Sequence, residues 1–557
     1  MKKILSGFNL KFFNFTKTNI FFFLLVAIVI SLVYFKSINY DLLDLDDKWL
    51  INDHLDFLTD YKNLPKLFVK DVYYQNAYLC YRPILNLSFM TETLVLGFNP
   101  KVYHATNIIL FILSIWLMYV FLLKLNFNKN ILKIIFLLLA VHPILSSVSV
   151  WVAGRNDSLL AIFAMLSLIN FISYLQKSNV FNFTMTILFF VISILTKEMG
   201  LILLPIYLLL IYCFNFKISK KQFVLFAVTF IAVLIPYFYV RNIIIPSVEI
   251  NEYITNWKSY VINMGTGLTI YIKKFFYPAN VQIVLYEVGL KDIPIFASFI
   301  TIAFTIFLFC KKIIDRKIII FGVCWYVLFL IPSAFMPDHI FLYHRFLIPS
   351  IGVIIIMVAL ISLILTKYNL SEIILKNTEQ IFFSKKLNFN KIFVVISILL
   401  FITFCITSYK NIDRYGNSRI FWHNSFSTAP DFPLARANIA YFAFQEGDKE
   451  TAYNLLNTAK TDYTLRFYAT YFATVLYKQN NLDEALQIAN TSFEKFEKYE
   501  ILRDIYIAKK DIDKAIECAE KAYSFDRNNA KNNSMLQQLY PLRNPLKQIQ
   551  DSNSNNL

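Results

Sequence analysis

Charge is scarce along these 557 residues: Asp, Glu, Lys and Arg together make up 16%, against 57% hydrophobic residues. That balance excludes a string of soluble domains over most of the length. Cysteine is nearly as sparse. The six (Cys80, Cys213, Cys310, Cys324, Cys405, Cys518) are scattered and include no CxxC pair, so neither a zinc site nor a disulfide framework is indicated. Small residues are missing where the first apolar run ends, at Val33-Tyr34-Phe35-Lys36. A cleaved signal peptide would need them, so the run reads as an uncleaved signal anchor behind a basic N-terminus. Acids are outnumbered by bases, 37 to 54, for a net charge of +17. In a soluble protein that excess would point to nucleic acid. Here the bases gather in short loops between apolar runs, as the positive-inside bias requires, and nucleic acid is discounted.

What the chain has is apolar length. Mean hydropathy is +0.52, and runs of about 20 residues, enough to cross a hydrocarbon core, recur along it. After the run from Ile20 to Phe35, spans are expected near 102–123, 131–150, 157–175, 180–196, 199–215, 222–240, 294–310, 317–335, 346–366 and 391–409. That makes about eleven. One set of connections carries Lys124/Lys129/Lys133, Lys177, Lys217/Lys220/Lys221, Lys311/Lys312/Arg316 and Lys376/Lys385/Lys386. This set is assigned to the cytoplasm together with the N-terminus, and the other set is extracytoplasmic.

Two extracytoplasmic loops are long. The first, 36–101, opens with Asp41, Asp44, Asp46, Asp47, Asp53, Asp56 and Asp60 and leads to Tyr81-Arg82-Pro83. An acidic loop is most simply a solvated linker. Beside a membrane it also suits holding a divalent cation or taking a proton from an attacking nucleophile. The second, 241–293, repeats Tyr260, Met264, Leu268, Tyr271 and Phe275 at helical spacing. That pattern suggests a helix along the interface, capping the bundle or roofing a cavity.

Past the last span the composition changes. Turn-and-helix units begin Gly447-Asp448-Lys449-Glu450-Thr451-Ala452, Asn480-Asn481-Leu482-Asp483-Glu484-Ala485 and Lys510-Asp511-Ile512-Asp513-Lys514-Ala515. Small residues recur at Ala440, Ala459, Ala473, Ser492 and Ala522. A period near 34 with small residues where paired helices touch is the tetratricopeptide signature. The expected organisation is a membrane domain over 1–410, extracytoplasmic repeats over 411–530, whose third unit is irregular with Arg503 at a small-residue position, and a loose tail over 531–557.

Ionisable groups at the edges of apolar spans are costly and mark function or pairing. Arg82, Glu92, His104, His142, Arg155, Asp157, Lys197, Glu198 and the stretch from His339 to Arg345 all fall at the extracytoplasmic ends. Each has a plainer reading: Lys197-Glu198 a tight turn, Arg155 with Asp157 an interhelical salt bridge, His104 and His142 satisfied interface histidines. Together, the cations suit a phosphate or pyrophosphate head-group, and facing acids suit displacement of a lipid phosphate by a hydroxyl.

The motifs, taken in order, are Asp46-Asp47 with Trp49, Tyr81-Arg82-Pro83, Gly97-Phe98-Asn99-Pro100 with His104 and Asn107, and His142-Pro143. Trp151-Val152-Ala153-Gly154-Arg155-Asn156-Asp157, Lys197-Glu198-Met199-Gly200 and Arg345-Phe346-Leu347-Ile348-Pro349 follow. Leading into repeats, this series resembles the GT-C class of membrane glycosyltransferases with C-terminal tetratricopeptide repeats, a group that includes the transmembrane-and-tetratricopeptide O-mannosyltransferases and their bacterial relatives. The likeness extends over nearly the whole chain.

The resemblance implies an all-α fold: a polytopic transmembrane helical bundle followed by a tetratricopeptide-repeat α-solenoid. It implies a polyprenyl-phosphate-linked sugar, mannose or a similar hexose, as donor. The acceptor would be an extracytoplasmic protein or glycan bound by the repeats, most simply a Ser/Thr hydroxyl. By the family pattern the catalytic acids fall on Asp46 and Asp47, with Asp47 the base and Asp46 orienting the acceptor or a cation. Arg82, Arg155, Lys197 and Arg345 become donor-phosphate residues, supported by His104, His142, Asp157 and Glu198. A divalent ion (Mg or Mn) on Asp46 and Asp47 stays open. The protein would be a multi-pass protein of the membrane, the inner membrane if bacterial. Competing readings are a transferase or ligase acting on a lipid-linked envelope glycan, and a non-catalytic scaffold recruiting partners through the repeats. A transporter fits less well, because its charges would lie near the midplane and no repeat relates the two halves.

Overall fold

A computed structural model describes residues 17–74, 80–245, 257–283, 305–311, 313–334, 342–367, 389–459, 462–492, 496–525 and 536–542. His339, much of the expected span at 294–310 and most of the tail over 531–557 lie outside these. Helix is the regular secondary structure of the described residues, with no strand among them. The chain divides into two compact units, Met1–Phe421 and Trp422–Leu557.

The first unit is the membrane part. Helix α1 (Lys17–Tyr34) precedes a loop containing the short α2 (Asp46–Leu50). Next come α3 (Pro83–Leu96), α4 (Pro100–Lys124) and α5 (Lys129–Ala140). Prolines at the first turns of α3 and α4 cost no hydrogen bond there, and the Asn99 side chain caps α4 by accepting from Lys101 N–H. A 55° bend then separates Lys129–Ala140 from Pro143–Val150. The break follows from Pro143, and His142 caps the new start by accepting from Ile144 N–H. Within that second limb lies α6 (Ser146–Val150), and α7 (Arg155–Lys177), α8 (Val180–Thr196) and α9 (Leu203–Cys213) follow.

Helix α7 runs through the centre, packed between α4 and α8. The apolar segment containing it, Val152–Lys177, is 83% buried over its most hydrophobic stretch, whereas Lys220–Ile244 and Phe393–Tyr415 are only 17% and 11% buried. Those two are apolar yet uncovered by protein, which is how lipid-facing helices at a bundle's edge are built. The helices Lys220–Ile244 (α10), Trp257–Phe276 (α11), Arg316–Ala334 (α12), Ser350–Lys367 (α13) and Phe389–Asn411 (α14) complete this unit. Among the described residues five helices are long and apolar enough to cross a membrane, and the bent pair makes a sixth. Several expected spans are shorter apolar helices, such as Val180–Thr196 and Glu198–Cys213. The second long loop does hold a helix, α11, with Tyr271 and Phe275 buried and Tyr271 stacked on Phe346.

In the second unit, α16 (Pro433–Gln445) pairs with α17 (Lys449–Thr458), α18 (Asp462–Lys478) with α19 (Leu482–Asn490), and α20 (Phe496–Ala508) with α21 (Ile512–Phe525). Helix α15 (Ser418–Thr428) precedes them and straddles the division. The turns inside these pairs carry Gly447, Asn480 and Lys510, all with positive φ. Ala440, Ala452, Ala459, Ala473, Ala485, Ala515 and Ala522 are completely buried, or nearly so, between helices. Arg503 is 1% exposed and holds Asp504, so a charge occupies what is elsewhere a small-residue position.

Candidate active site

The first loop is not a solvated linker at its centre. Asp41, Asp53 and Asp56 are exposed, but the turn of α2 carries Asp46 half under cover and buries Asp47 to 1% exposure. Both Asp47 oxygens are occupied: Oδ2 accepts from Leu43 N–H at 3.1 Å and Oδ1 from Ala153 N–H at 2.8 Å. Burial pushes this carboxyl up to about 7, against the pull of those two N–H groups. Asp46 is differently placed. Its Oδ1 accepts from the Tyr73 hydroxyl at 3.0 Å, and burial raises its pKa while Tyr73, Arg82 and Arg345 favour the charged form.

Around Asp46 the structure brings together side chains far apart in sequence. Arg82, at the start of α3, donates through Nε and Nη2 to Glu198 Oε2 at 3.2 and 3.0 Å. Lys197, where α8 ends, donates to Asp157 Oδ1 at 2.8 Å. The other Asp157 oxygen has His344 Nε2 at 3.7 Å, and the His344 ring meets Trp151 edge-on at 4.9 Å. Arg345 lies in the field of Tyr271, Asp157, Arg82 and Asp46. Arg82, Lys197, Arg345, Asp157, Glu198 and Asp46 therefore form one cluster. Within it Asp157 and Glu198 are tied to cations, and Asp46 is held by a neutral tyrosine.

Three expected site residues lie elsewhere. Arg155 is fully buried, and its partner is Glu92 rather than Asp157. It donates to Glu92 Oε2 at 2.5 Å, Asn107 Oδ1 at 2.8 Å and Tyr103 O at 3.0 Å, with Phe89 beneath the guanidinium. Thr106 holds the second Glu92 oxygen at 2.6 Å. This closed network ties α3, α4 and α7 together. His142 stacks on Phe275 at 5.0 Å and bonds its backbone carbonyl at 2.9 Å, joining the bend to α11. His104 is buried beside Tyr40, ring centroids 6.3 Å apart. Tyr73 was not singled out from the sequence. One tyrosine among 34 carries no local signal.

The acid pair does not fit a divalent ion held jointly. Asp47 has no oxygen free of a backbone N–H, which leaves a single Asp46 oxygen. Among the described residues no three His, Cys, Asp or Glu side chains converge as ligands.

The described residues thus form an all-helical membrane protein with a charged cluster walled by α2, the ends of α3 and α8, and the 343–346 turn. Over part of its length the chain is similar to transferases. It is 31% identical over 153 residues, 26% of its length, to protein O-mannosyl-transferase TMTC1 of Homo sapiens, and 31% identical over 139 residues, 24%, to that of Mus musculus. These matches cover 17% and 14% of the relatives' own lengths, so the chain spans less than a fifth of the curated relatives it matches. No protein-family model matches it.

Proposed function

We propose that the chain is a membrane glycosyltransferase moving a hexose, mannose or a close relative, from a polyprenyl-phosphate donor to an acceptor hydroxyl outside the cytoplasm, a Ser or Thr of a protein. The observation that carries this reading is the setting of Asp46, a carboxylate bonded to Tyr73 and facing Arg82 and Arg345, with Lys197 close by. The partial likeness to a protein O-mannosyl-transferase supports it.

In this reading the acceptor oxygen attacks the anomeric carbon as the bond from that carbon to the phosphate oxygen breaks. The hydroxyl proton passes to Asp46, whose burial raises its affinity for a proton. The departing polyprenyl phosphate is met by Arg345, with Arg82 and Lys197 completing the positive field. Asp157 and Glu198 orient the lysine and Arg82. Asp47 holds the loop rather than taking the proton, because its oxygens are engaged. Arg155 holds the bundle rather than phosphate.

In this reading the N-terminus is cytoplasmic and the site lies outside, which the basic loops favour. The second unit is read as tetratricopeptide repeats presenting an extended acceptor. Its left-handed turns at Gly447, Asn480 and Lys510 and its buried alanines support that. The test is transfer from a polyprenyl-phosphate hexose to a Ser/Thr-containing acceptor in membranes holding the full chain. Asp46→Asn is expected to lose at least about a hundredfold in rate. Full activity in that variant ends the reading.

A further inference from the structure

We propose that the segment 411–418, between the last membrane helix and the second unit, positions the acidic loop for catalysis, with Asp413 and Ser418 as the positioning residues. The inference rests on Asp46 being the base.

Three rungs join this segment to the loop just before Asp46. The Tyr40 hydroxyl donates to Asp413 Oδ1 at 2.8 Å, Asp41 N–H to Gly416 O at 3.1 Å, and Asp44 N–H to Ser418 Oγ at 2.7 Å. Lys36 Nζ reaches the same Asp413 oxygen at 2.7 Å and lies 3.7 Å over the Tyr409 ring of α14. The segment is itself seated by Ile412 and Tyr415, both buried. On the far side of Asp46, Asp47 fastens the loop to Ala153. The carboxylate proposed as base thus sits between two anchors, one from α7's approach and one from residues nearly four hundred positions away.

The strength of these rungs says what they do. Asp413 is 62% exposed, so its ion pair adds little to stability. Two of the three rungs end on loop backbone and the third on Tyr40, whose ring lies beside His104. Their loss leaves the bundle's core intact and frees the path of the chain into α2. Small displacements of a base cost rate far more than they cost stability.

The test uses full-length Asp413→Ala, Ser418→Ala and the double variant in detergent micelles, with Ser418→Thr as the conservative control. Backbone deuterium uptake over residues 41–50, thermal unfolding, and kcat and KM for transfer are followed together. The double variant is expected to raise uptake there about threefold with an unchanged Tm. Its kcat should fall about tenfold at constant donor KM, and Ser418→Thr should match wild type in uptake and kcat. Uptake unchanged in the double variant overturns the anchoring. Increased uptake with wild-type kcat overturns its catalytic role. A wild-type protein inactive in transfer, whose loop nonetheless loosens in the variant, overturns the glycosyltransferase reading and with it the catalytic role, leaving the anchor alone.

Discussion

Asp47 bonds the backbone N–H of Ala153 at 2.8 Å, across 106 residues of chain. It thereby clasps the first loop to the turn that starts the central helix α7. Its neighbour Asp46 makes no such bond and faces cations instead. Two acids adjacent in sequence are thus placed differently, one clasping backbone and the other among charged side chains.

Amide substitution separates the two roles. Asp47→Asn sets an NH2 group against either Leu43 N–H or Ala153 N–H, leaving a buried donor without an acceptor. A loss of about 1–3 kcal/mol is expected, read as a lower Tm in detergent. Asp46→Asn can still accept from Tyr73 through its amide oxygen, so its Tm should match wild type while transfer collapses. The reverse pattern, a stable Asp47→Asn and an unstable Asp46→Asn, would contradict the assignment.

Much of this was legible in the sequence, and the failures are instructive. Hydropathy located the apolar helices, and the one-sided placement of Arg82, Asp157, Lys197, Glu198 and Arg345 anticipated their convergence. The identity of the partners was not legible. Arg155 and Asp157 are two apart on a helix and point to different sides, so the pairing suggested by proximity in sequence could not form. Arg155 turns to Glu92, and Asp157 to Lys197. Likewise, successive residues on a helical turn differ by about 100°, and nothing local to Asp46-Asp47 says which of them faces inward. His142, polar amid apolar residues, reads from sequence either as a satisfied interface histidine or as a supporting residue of the site. Phe275, 133 residues on, explains it as a staple.

The pH dependence of stability follows from Asp47. Its folded pKa, about 7, lies above the ordinary 3.8. Between those values the folded protein binds more protons than the unfolded chain, so stability falls as pH rises through that window and levels off above it. The same slope is absent when residue 47 cannot titrate. The difference in Tm between wild type and Asp47→Asn should therefore shrink from pH 5 to pH 8. A constant difference would mean that Asp47 is ionised throughout.

Close backbone approach fixes the α12–α13 pair. A Cβ added at Gly352 would overlap Gly322 O and stand 2.8 Å from Tyr326 N, with main chain on both sides. Gly352→Ala should cost about 1–3 kcal/mol. At Gly265, in α11, an added Cβ meets nothing within 4 Å. There Gly→Ala should be neutral or stabilise by up to about 1 kcal/mol through helix propensity. Thermal unfolding of the two variants side by side checks the packing independently of any activity.

The last prediction separates the two arginines that looked alike. Arg155 is unexposed and each bond it makes is to the bundle. Arg155→Met leaves Glu92 charged and buried, at a cost of about 3–5 kcal/mol. Adding Glu92→Leu removes the stranded charge and should recover most of that, as an apolar pair can replace a buried ion pair. If the donor phosphate lies where proposed, the double variant should then bind it with an unchanged KM, because Arg155 and Glu92 are spent on each other within the bundle. Arg345 is half-buried and lies in the field of Asp46 and Asp157. Arg345→Gln should keep the fold, while kcat/KM for the lipid-phosphate donor drops about tenfold or more. Kinetics of the two proteins at varied donor concentration decide the matter. A raised donor KM in a well-folded Arg155→Met/Glu92→Leu protein would return Arg155 to the phosphate side, and wild-type kinetics in Arg345→Gln would remove Arg345 from it.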